Sequence, residues 1–469
     1  MLFNSFNFLL FFPLVLLVYY PISTVGYRNV FLLIASYFFY MNWEPFYAIL
    51  ILISTTITYF CGIFIEKHKN KKKIFLIFCI IFNLSILFFF KYYHFVTDNI
   101  FDLLSYCGLR VGFPQMKILL PVGISFYIFQ TTGYIIDIYR KKLKAENNFL
   151  IYALFVSFFP QLVAGPIERA KNLLPQFKVK HAFCYENFSQ GAKMLLWGYF
   201  LKLCVADRIA EYVDSIYNNV QMHSSASLLL ATVFFSFQIY GDFAGYSLIA
   251  KGCAKCLGYE LMENFHRPYL SLNIKEFWKR WHVSLSSWFQ DYVYVPLGGN
   301  RGSFLRTLFN LLITFLISGL WHGASWNFVI WGLIHGIYLI VYKNVESFLS
   351  PFAYKNTLSK IINILVTFFL VTLAWIFFRA NNITDAIYVL KGILTSKGEI
   401  FTGSGTVMLL SITSLLILIT KSIKDEFHIP IKILNNSHLS IRLISFIILT
   451  CYILLFGALD SHQFIYFQF

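Results

Sequence analysis

Apolar runs of about 16 to 25 residues recur along this chain, each long enough to cross the ~30 Å hydrocarbon layer of a bilayer. No water is available in that layer to satisfy backbone N–H and C=O groups, so such runs must be helical. The runs lie at roughly 7–21, 28–43, 44–66, 74–97, 118–139, 189–210, 226–257, 303–321, 325–343, 361–379, 404–421 and 440–459. Composition agrees: 58% of the 469 residues are hydrophobic and only 13% charged, whereas soluble domains carry about 25% charge. The expected fold is an all-α polytopic membrane protein of about 11–12 transmembrane helices, a single integral domain over 1–469 with no internal repeat and no soluble module.

The net charge of +16 is concentrated in short segments between the runs. Lys67, Lys69, Lys71, Lys72 and Lys73 form one cluster, and Arg140, Lys141, Lys142 and Lys144 another. Such clusters mark the cytoplasmic ends of helices and argue against nucleic acid as a partner; the expected location is the cytoplasmic (inner) membrane. The runs 74–97 and 118–139 then supply the two crossings between the clusters. The stretch 207–225, with Asp207, Glu211 and Asp214, falls on the outer face. The opening MLFNSFNFLLFFP lacks a basic n-region and a cleavage site, and reads as a retained first helix. The eight cysteines, the Cys253/Cys256 pair included, read as small buried hydrophobes, and no metal site is expected.

Two stretches do not fit simple crossings. Residues 149–165 are apolar but short, with basic loops at both ends, which suggests entry and exit on one side. The amphipathic segment 263–301 reads as a re-entrant or interfacial element on the cytoplasmic side, and non-helical backbone at that depth is tolerated where it lines a cavity. Polar side chains inside apolar runs mark sites by default. His322, in Gly-Leu-Trp-His-Gly, and His335, thirteen residues on, could each move a proton near neutral pH, or could simply bond a neighbouring helix. His282, in FWKRWHVS, has aromatic and basic neighbours suited to a phosphate-bearing, partly apolar ligand, or to interfacial anchoring. The PLGGNRG loop at 296–302 could wrap phosphate or be a plain turn. Asp242 could orient a histidine or pair with a cation. The Gly241/Gly245 and Gly332/Gly336 spacings point to close helix packing.

In order along the chain, MLFNSFNFLLFFP at 1–13, LPVGISFYIFQTTGYIIDIYR at 120–140, FPQLVAGPIERA at 159–170, VADRIAEYVD at 205–214 and DFAGYS at 242–247 are followed by ENFHRPYLSLNIKEFWKRWHVSLSSWFQDYVYVPLGGNR at 263–301. WHGASWNFVIWGLIHG at 321–336, FFRA at 377–380 and FIYFQF at 464–469 complete the series. This ordered set resembles the membrane-bound O-acyltransferase (MBOAT) family, in its bacterial alginate and polysaccharide O-acetylation branch. The resemblance implies a ring of helices around a central tunnel, His322 as the catalytic residue and His282 as a second catalytic residue on the donor side. Asp242, Trp278, Arg280, Trp281, Asn300, Arg301, Trp321 and His335 are expected to support the site or bind substrate. Leu248 stands where the branch often has an acid, and Lys251 where an apolar residue is usual. The Leu-Gly-Gly-Asn-Arg loop is unlike the teichoic-acid D-alanylation branch.

The function expected from these features is transfer of an acetyl group from cytoplasmic acetyl-CoA across or into the membrane, for O-acetylation of a cell-surface or exported polysaccharide. His322 would deprotonate the acceptor as it attacks the thioester. The expected partners are an acyl-CoA donor, the lipid bilayer and a periplasmic or surface acetyltransferase that passes the group to the polysaccharide. No tightly bound cofactor is expected. D-alanyl or other acyl transfer by the same fold is one alternative, and a transporter or flippase is another.

Overall fold

The computed structural model describes residues 1–109, 112–114, 116, 118–163, 165–353, 356–430, 434, 438–459 and 464–465, and the backbone alone for 347–353. Residues 466–469 of the terminal FIYFQF stretch lie outside the described residues. Every regular element among the described residues is helical. Helices α1 (Phe6–Tyr19), α2 (Val25–Met41) and α3 (Tyr47–Lys67) open the chain. A long rod, α4, spans Lys72–Tyr106, and α5 spans Ile124–Tyr139. The short α6 (Phe149–Ser157) precedes α7 (Tyr185–Tyr199) and α8 (Asp207–Tyr217). The 32-residue α9 (Ser225–Cys256) leads to two short helices, α10 (Ile274–Arg280) and α11 (Val283–Phe289). The chain continues through α12 (Phe304–His322), α13 (Trp326–Ala353), α14 (Thr357–Arg379), α15 (Ile383–Thr395), α16 (Gly405–Glu426) and α17 (Leu439–Phe456).

Eight helices among the described residues are long and apolar enough to cross a membrane. The protein is therefore a multi-pass membrane protein. The expected crossing at 118–139 is shorter than its apolar run. Pro121 and Gly123, the latter at φ +74, hold the first residues in a turn, and the helix begins only at Ile124. The amphipathic α15 was not anticipated, because its polar residues break the apolar run.

The basic clusters meet at one end of the bundle. Lys72, at the start of α4, lies over the Tyr139 ring at the end of α5, 4.8 Å from its centroid. Glu66, near the end of α3, accepts the Ala145 N–H at 2.8 Å. α6 starts at this end, where the Asn148 side chain accepts from the Leu150 and Ile151 N–H groups and caps it. Its tip reaches the middle of α2, where the Phe159 N–H donates to Ser36 at 3.0 Å. Gln130 and Gln161 both donate to the Phe155 carbonyl, at 2.9 and 2.6 Å, and so satisfy backbone that the helix break leaves open. The chain then returns to the basic end, where Arg169 pairs with Asp291 at 2.9 Å and Arg140 donates to the Asp291 carbonyl at 2.9 Å. The run 149–165 thus enters and leaves on one side.

Two long helical rods are each interrupted by a π-helical turn, at Phe88–Tyr92 within α4 and at Phe200–Ala206 between α7 and α8. A π-turn inserts an extra residue and redirects side chains, and such turns recur at functional sites. Each of these turns carries a lysine, Lys91 or Lys202. Lys202 is buried and bridges Asp207 and Asp242 at 2.8 Å each. Gly241 and Gly245 let α9 press against the 198–206 backbone, where a Cβ on Gly245 would lie 2.8 Å from the Gly198 carbonyl oxygen.

Candidate active site

α12 ends on His322 because Gly323 turns away in extended backbone, φ −163 and ψ 153. The helix then doubles back into α13, and the two cross where glycines face each other. A Cβ on Gly319 would meet the Phe328 carbonyl oxygen at 2.2 Å, and one on Gly332 the Phe315 carbonyl oxygen at 2.3 Å. That crossing holds His322 and His335 within one aromatic cluster. The Trp331 ring stands 4.9 Å from His322 on one side and 4.9 Å from His335 on the other. Trp375 stacks on Trp331 at 5.6 Å, and Phe378 packs 5.4 Å from His322.

The segment 263–301 closes the cluster from the basic end. α10 and α11 are separated by a turn at Trp281 and His282. His282 lies at φ +43, a left-handed conformation that costs roughly 1–3 kcal/mol for a non-glycine residue unless its surroundings impose it. Buried Asn264 supplies that constraint. Its carbonyl accepts from the Val283 N–H at 3.0 Å, its side-chain oxygen from the Ser284 N–H at 3.2 Å, and its amide donates to Ser247 at 3.2 Å. The His266 N–H donates to the Arg280 carbonyl at 2.9 Å, closing the turn. The 165–169 loop supports it from outside: the Ile167 N–H donates to Ser284 at 3.1 Å, and Glu168 accepts the Met262 N–H. Burial pushes the Glu168 carboxyl up to about 7.

His282 is fully buried, 4.5 Å from the Phe243 ring and 6.1 Å from Trp321, which in turn lies 5.0 Å from His322. His335 lies 4.9 Å from Trp278. Trp281 packs 5.1 Å from Trp375. Three histidines and five tryptophans (278, 281, 321, 331 and 375) therefore form one continuous interior. The indole N–H groups of Trp278, Trp321, Trp331 and Trp375, Nε2 of His282 and both ring nitrogens of His335 have no hydrogen-bond partner among the described residues. Buried polar atoms are nearly always paired, with protein or with water, so this concentration leaves several donors and acceptors open to water or to a polar ligand.

The remaining expected site residues lie elsewhere. Asp242 pairs with Lys202 and accepts the Ile465 N–H at 2.7 Å; it touches the site only through its neighbour Phe243. Arg280 is held by Glu276 at 2.6 Å and Glu426 at 2.9 Å. Asn300 accepts from Tyr294 at 2.6 Å in an exposed turn where Gly298 and Gly299 adopt positive φ, and Arg301 is exposed in the same turn.

A cavity of about 60 Å³ adjoins His322, lined by Trp321, Lys91, Trp43 and the 120–126 segment. Lys91 was not singled out in the sequence, although a charge within the 74–97 run was the available signal. It donates to the Trp321 carbonyl at 2.8 Å and the His322 carbonyl at 2.9 Å, and Tyr92 donates to the Leu320 carbonyl at 2.7 Å. These bonds satisfy the last carbonyls of α12, which its own ladder leaves open. Asn264, Trp331 and Trp375 were also missed, because each acts through packing that only the fold reveals.

A buried imidazole beside a small cavity, with a cation at the helix end that carries it, can take a proton from a hydroxyl while charge develops on a nearby oxygen. Comparison with known proteins identifies the family. Residues 140–384 match the model of MBOAT, the membrane-bound O-acyltransferase family. The chain is 38% identical to the probable alginate O-acetylase AlgI of Pseudomonas aeruginosa, over 82% of this chain and 73% of that protein. It is 36% identical to the peptidoglycan O-acetyltransferase of Helicobacter pylori, over 82% of this chain and 80% of that protein. A teichoic acid D-alanyltransferase of Bacillus subtilis is 27% identical over 57% of this chain and 71% of its own length. With that sequence likeness added to its helical membrane fold, the chain belongs to the membrane-bound O-acyltransferase family and is an acyltransferase.

Proposed function

We propose that this enzyme takes an acetyl group from acetyl-CoA at the basic, cytoplasmic end of the bundle and delivers it through the membrane for O-acetylation of an envelope or exported polysaccharide. The observation that carries this reading is His322, set at the end of α12 beside a cavity of about 60 Å³. A cavity of that size beside the imidazole has room for a two-carbon acyl group at the reacting position. The Lys91 ammonium on the same cavity also disfavours D-alanyl, whose amino group is cationic.

His322 acts as general base. It removes the acceptor proton as the oxygen attacks the acyl carbonyl, then returns the proton to the leaving thiolate. His282 and His335 line the donor side with the unpaired indole N–H groups, which give a polar pantetheine arm hydrogen-bonding partners on its way inward. Asp242, Arg280, Asn300 and Arg301 support the scaffold or the approach to it and do not meet the reacting atoms. The acceptor side receives a hydroxyl from a periplasmic or surface acetyltransferase, which passes the group to the polysaccharide. The two O-acetylating relatives, one named for alginate and one for peptidoglycan, support a polysaccharide as the final acceptor.

Donor selection tests this reading. Purified protein in liposomes is given acetyl-CoA, butyryl-CoA or palmitoyl-CoA, and CoA release is followed with the partner acetyltransferase and an alginate oligosaccharide both present. Acetyl-CoA is expected to turn over at least about 10-fold faster than palmitoyl-CoA, the order of discrimination that pocket size gives. Equal rates, or release from none of the three, would reject the acetyl-CoA assignment.

A further inference from the structure

Lys91 has a placement that helix packing alone does not require. It is the charged residue within the 74–97 apolar run, carried on a π-turn at Phe88–Tyr92 that swings it towards the end of α12. A charge within a membrane span is expensive and usually marks a functional position. Its ammonium has three N–H donors. Two are used, on the carbonyls of Trp321 and His322. The side chain also lies 6.0 Å from the Trp321 ring centroid and lines the cavity that His322 lines. One N–H therefore remains for whatever occupies that cavity, and the bonds to the α12 carbonyls hold the ammonium still.

We propose that Lys91 is a catalytic residue whose remaining N–H stabilises the oxyanion formed during acyl transfer at His322. The inference rests on the reading of His322 as the base. The acceptor oxygen forms a bond to the acyl carbon while its proton passes to the His322 imidazole. The carbonyl π pair moves onto the acyl oxygen, which becomes an oxyanion and accepts the Lys91 N–H. Collapse reforms the C=O bond and breaks the C–S bond of the thioester, and the thiolate takes the proton back from His322. No oxidant or additional reactant enters. A fixed ammonium is well suited to this task, because it needs no reorientation as the charge appears. The two occupied donors hold the backbone of His322, so base and oxyanion donor keep one register.

The test compares wild type with Lys91→Gln, Lys91→Met, Lys91→Arg and His322→Ala in liposomes, using labelled acetyl-CoA with the partner acetyltransferase and an alginate oligosaccharide present. Rate, KM for acetyl-CoA and thermal unfolding midpoint are measured for each. Lys91→Gln keeps N–H donors for the α12 carbonyls but has no charge; Lys91→Arg keeps both. The expected result is a fall in kcat of about 100- to 1,000-fold for Gln and Met, with KM and midpoint close to wild type and most of the rate retained by Arg. Wild-type kcat in Lys91→Gln would overturn the proposal. So would an Arg variant no faster than Gln, or a loss that follows a lowered midpoint and a raised KM, because each marks a purely structural role. His322→Ala separates the two readings. If it is inactive while Lys91→Gln is active, only the lysine inference falls. If it is as active as wild type, the assignment of His322 falls first.

Discussion

At the scale of single residues, the sequence marked His322 as a polar side chain at the end of an apolar run, which by itself also fits a histidine that only bonds a neighbouring helix; its proposed catalytic role came from the ordered set of motifs around it. Its neighbours were less legible. Trp331 stood in a quoted segment, but only the crossing of α12 and α13 shows that it separates His322 from His335 by 4.9 Å on each side. Asp242, an acid within an apolar run, and Arg280, in the amphipathic segment beside His282, also drew attention, yet each is spent on an ion pair, with Lys202 and with Glu276 and Glu426. Charge in an apolar run therefore identifies a costly position without saying whether the cost serves chemistry or packing. Asn264 shows the converse, a residue without charge that fixes the left-handed turn at His282. Asn264→Ala removes its side-chain bonds to Ser284 and Ser247, a loss of about 1–3 kcal/mol for buried partners left unpaired. The expected outcome is an acetyl-transfer rate at least about 10-fold below wild type, the factor that ~1.4 kcal/mol represents, with protein still recovered in membranes. An unchanged kcat would show that the His282 turn holds without it.

At the scale of elements, apolar run length located nearly all the long helices, because the bilayer sets that length by itself. The runs at 44–66, 226–257 and 303–321 fall on α3, α9 and α12 within a few residues. What run length does not encode is interruption. The π-turns at Phe88–Tyr92 and Phe200–Ala206 lie within runs whose polar residues do not mark where the helix is interrupted, and each turn carries a lysine that makes tertiary bonds, Lys91 or Lys202. The re-entrant course of 149–165 was legible because basic loops flank both of its ends. The Gly319–Gly332 contact is the joint on which the site depends. Gly332→Ala would place a methyl 2.3 Å from the Phe315 carbonyl oxygen, so α12 and α13 must separate. Overpacking of this kind costs about 1–3 kcal/mol. The thermal midpoint in detergent should fall and transfer slow together. A variant with wild-type midpoint and rate would mean the crossing is loose.

At the scale of the whole molecule, the two ends of the bundle differ in charge, and that difference carries the functional orientation. Lys67, Lys72, Arg140 and Arg169 collect at one end through the contacts of Lys72 with Tyr139 and of Arg140 and Arg169 with Asp291. α9 runs from Ser225 at the opposite end to Cys256 near the basic end, where the Tyr20 hydroxyl donates to the Cys256 carbonyl. The orientation proposed above puts the basic end in the cytoplasm, as the positive-inside bias favours. A cysteine at Lys71 should then react with a membrane-impermeant maleimide only from the cytoplasmic side. One at Met222, which is 84% exposed beyond the start of α9, should react only from the other. Exposed Cys107, Cys184 and Cys451 must first be replaced. Labelling of both positions from the same side would contradict this orientation, and with it the direction proposed for acetyl transfer.

The central claim is that proton transfer at His322 drives acyl transfer. Its most direct measurement is single-turnover transfer of labelled acetyl from acetyl-CoA by the wild type and by His322→Ala, in liposomes at matched protein amounts and with the unfolding midpoint recorded. Removal of a general base is expected to lower the rate by about 100- to 10,000-fold while the midpoint stays near that of wild type. A folded His322→Ala protein that transfers acetyl at the wild-type rate would contradict the account and move the chemistry to another group in the cluster.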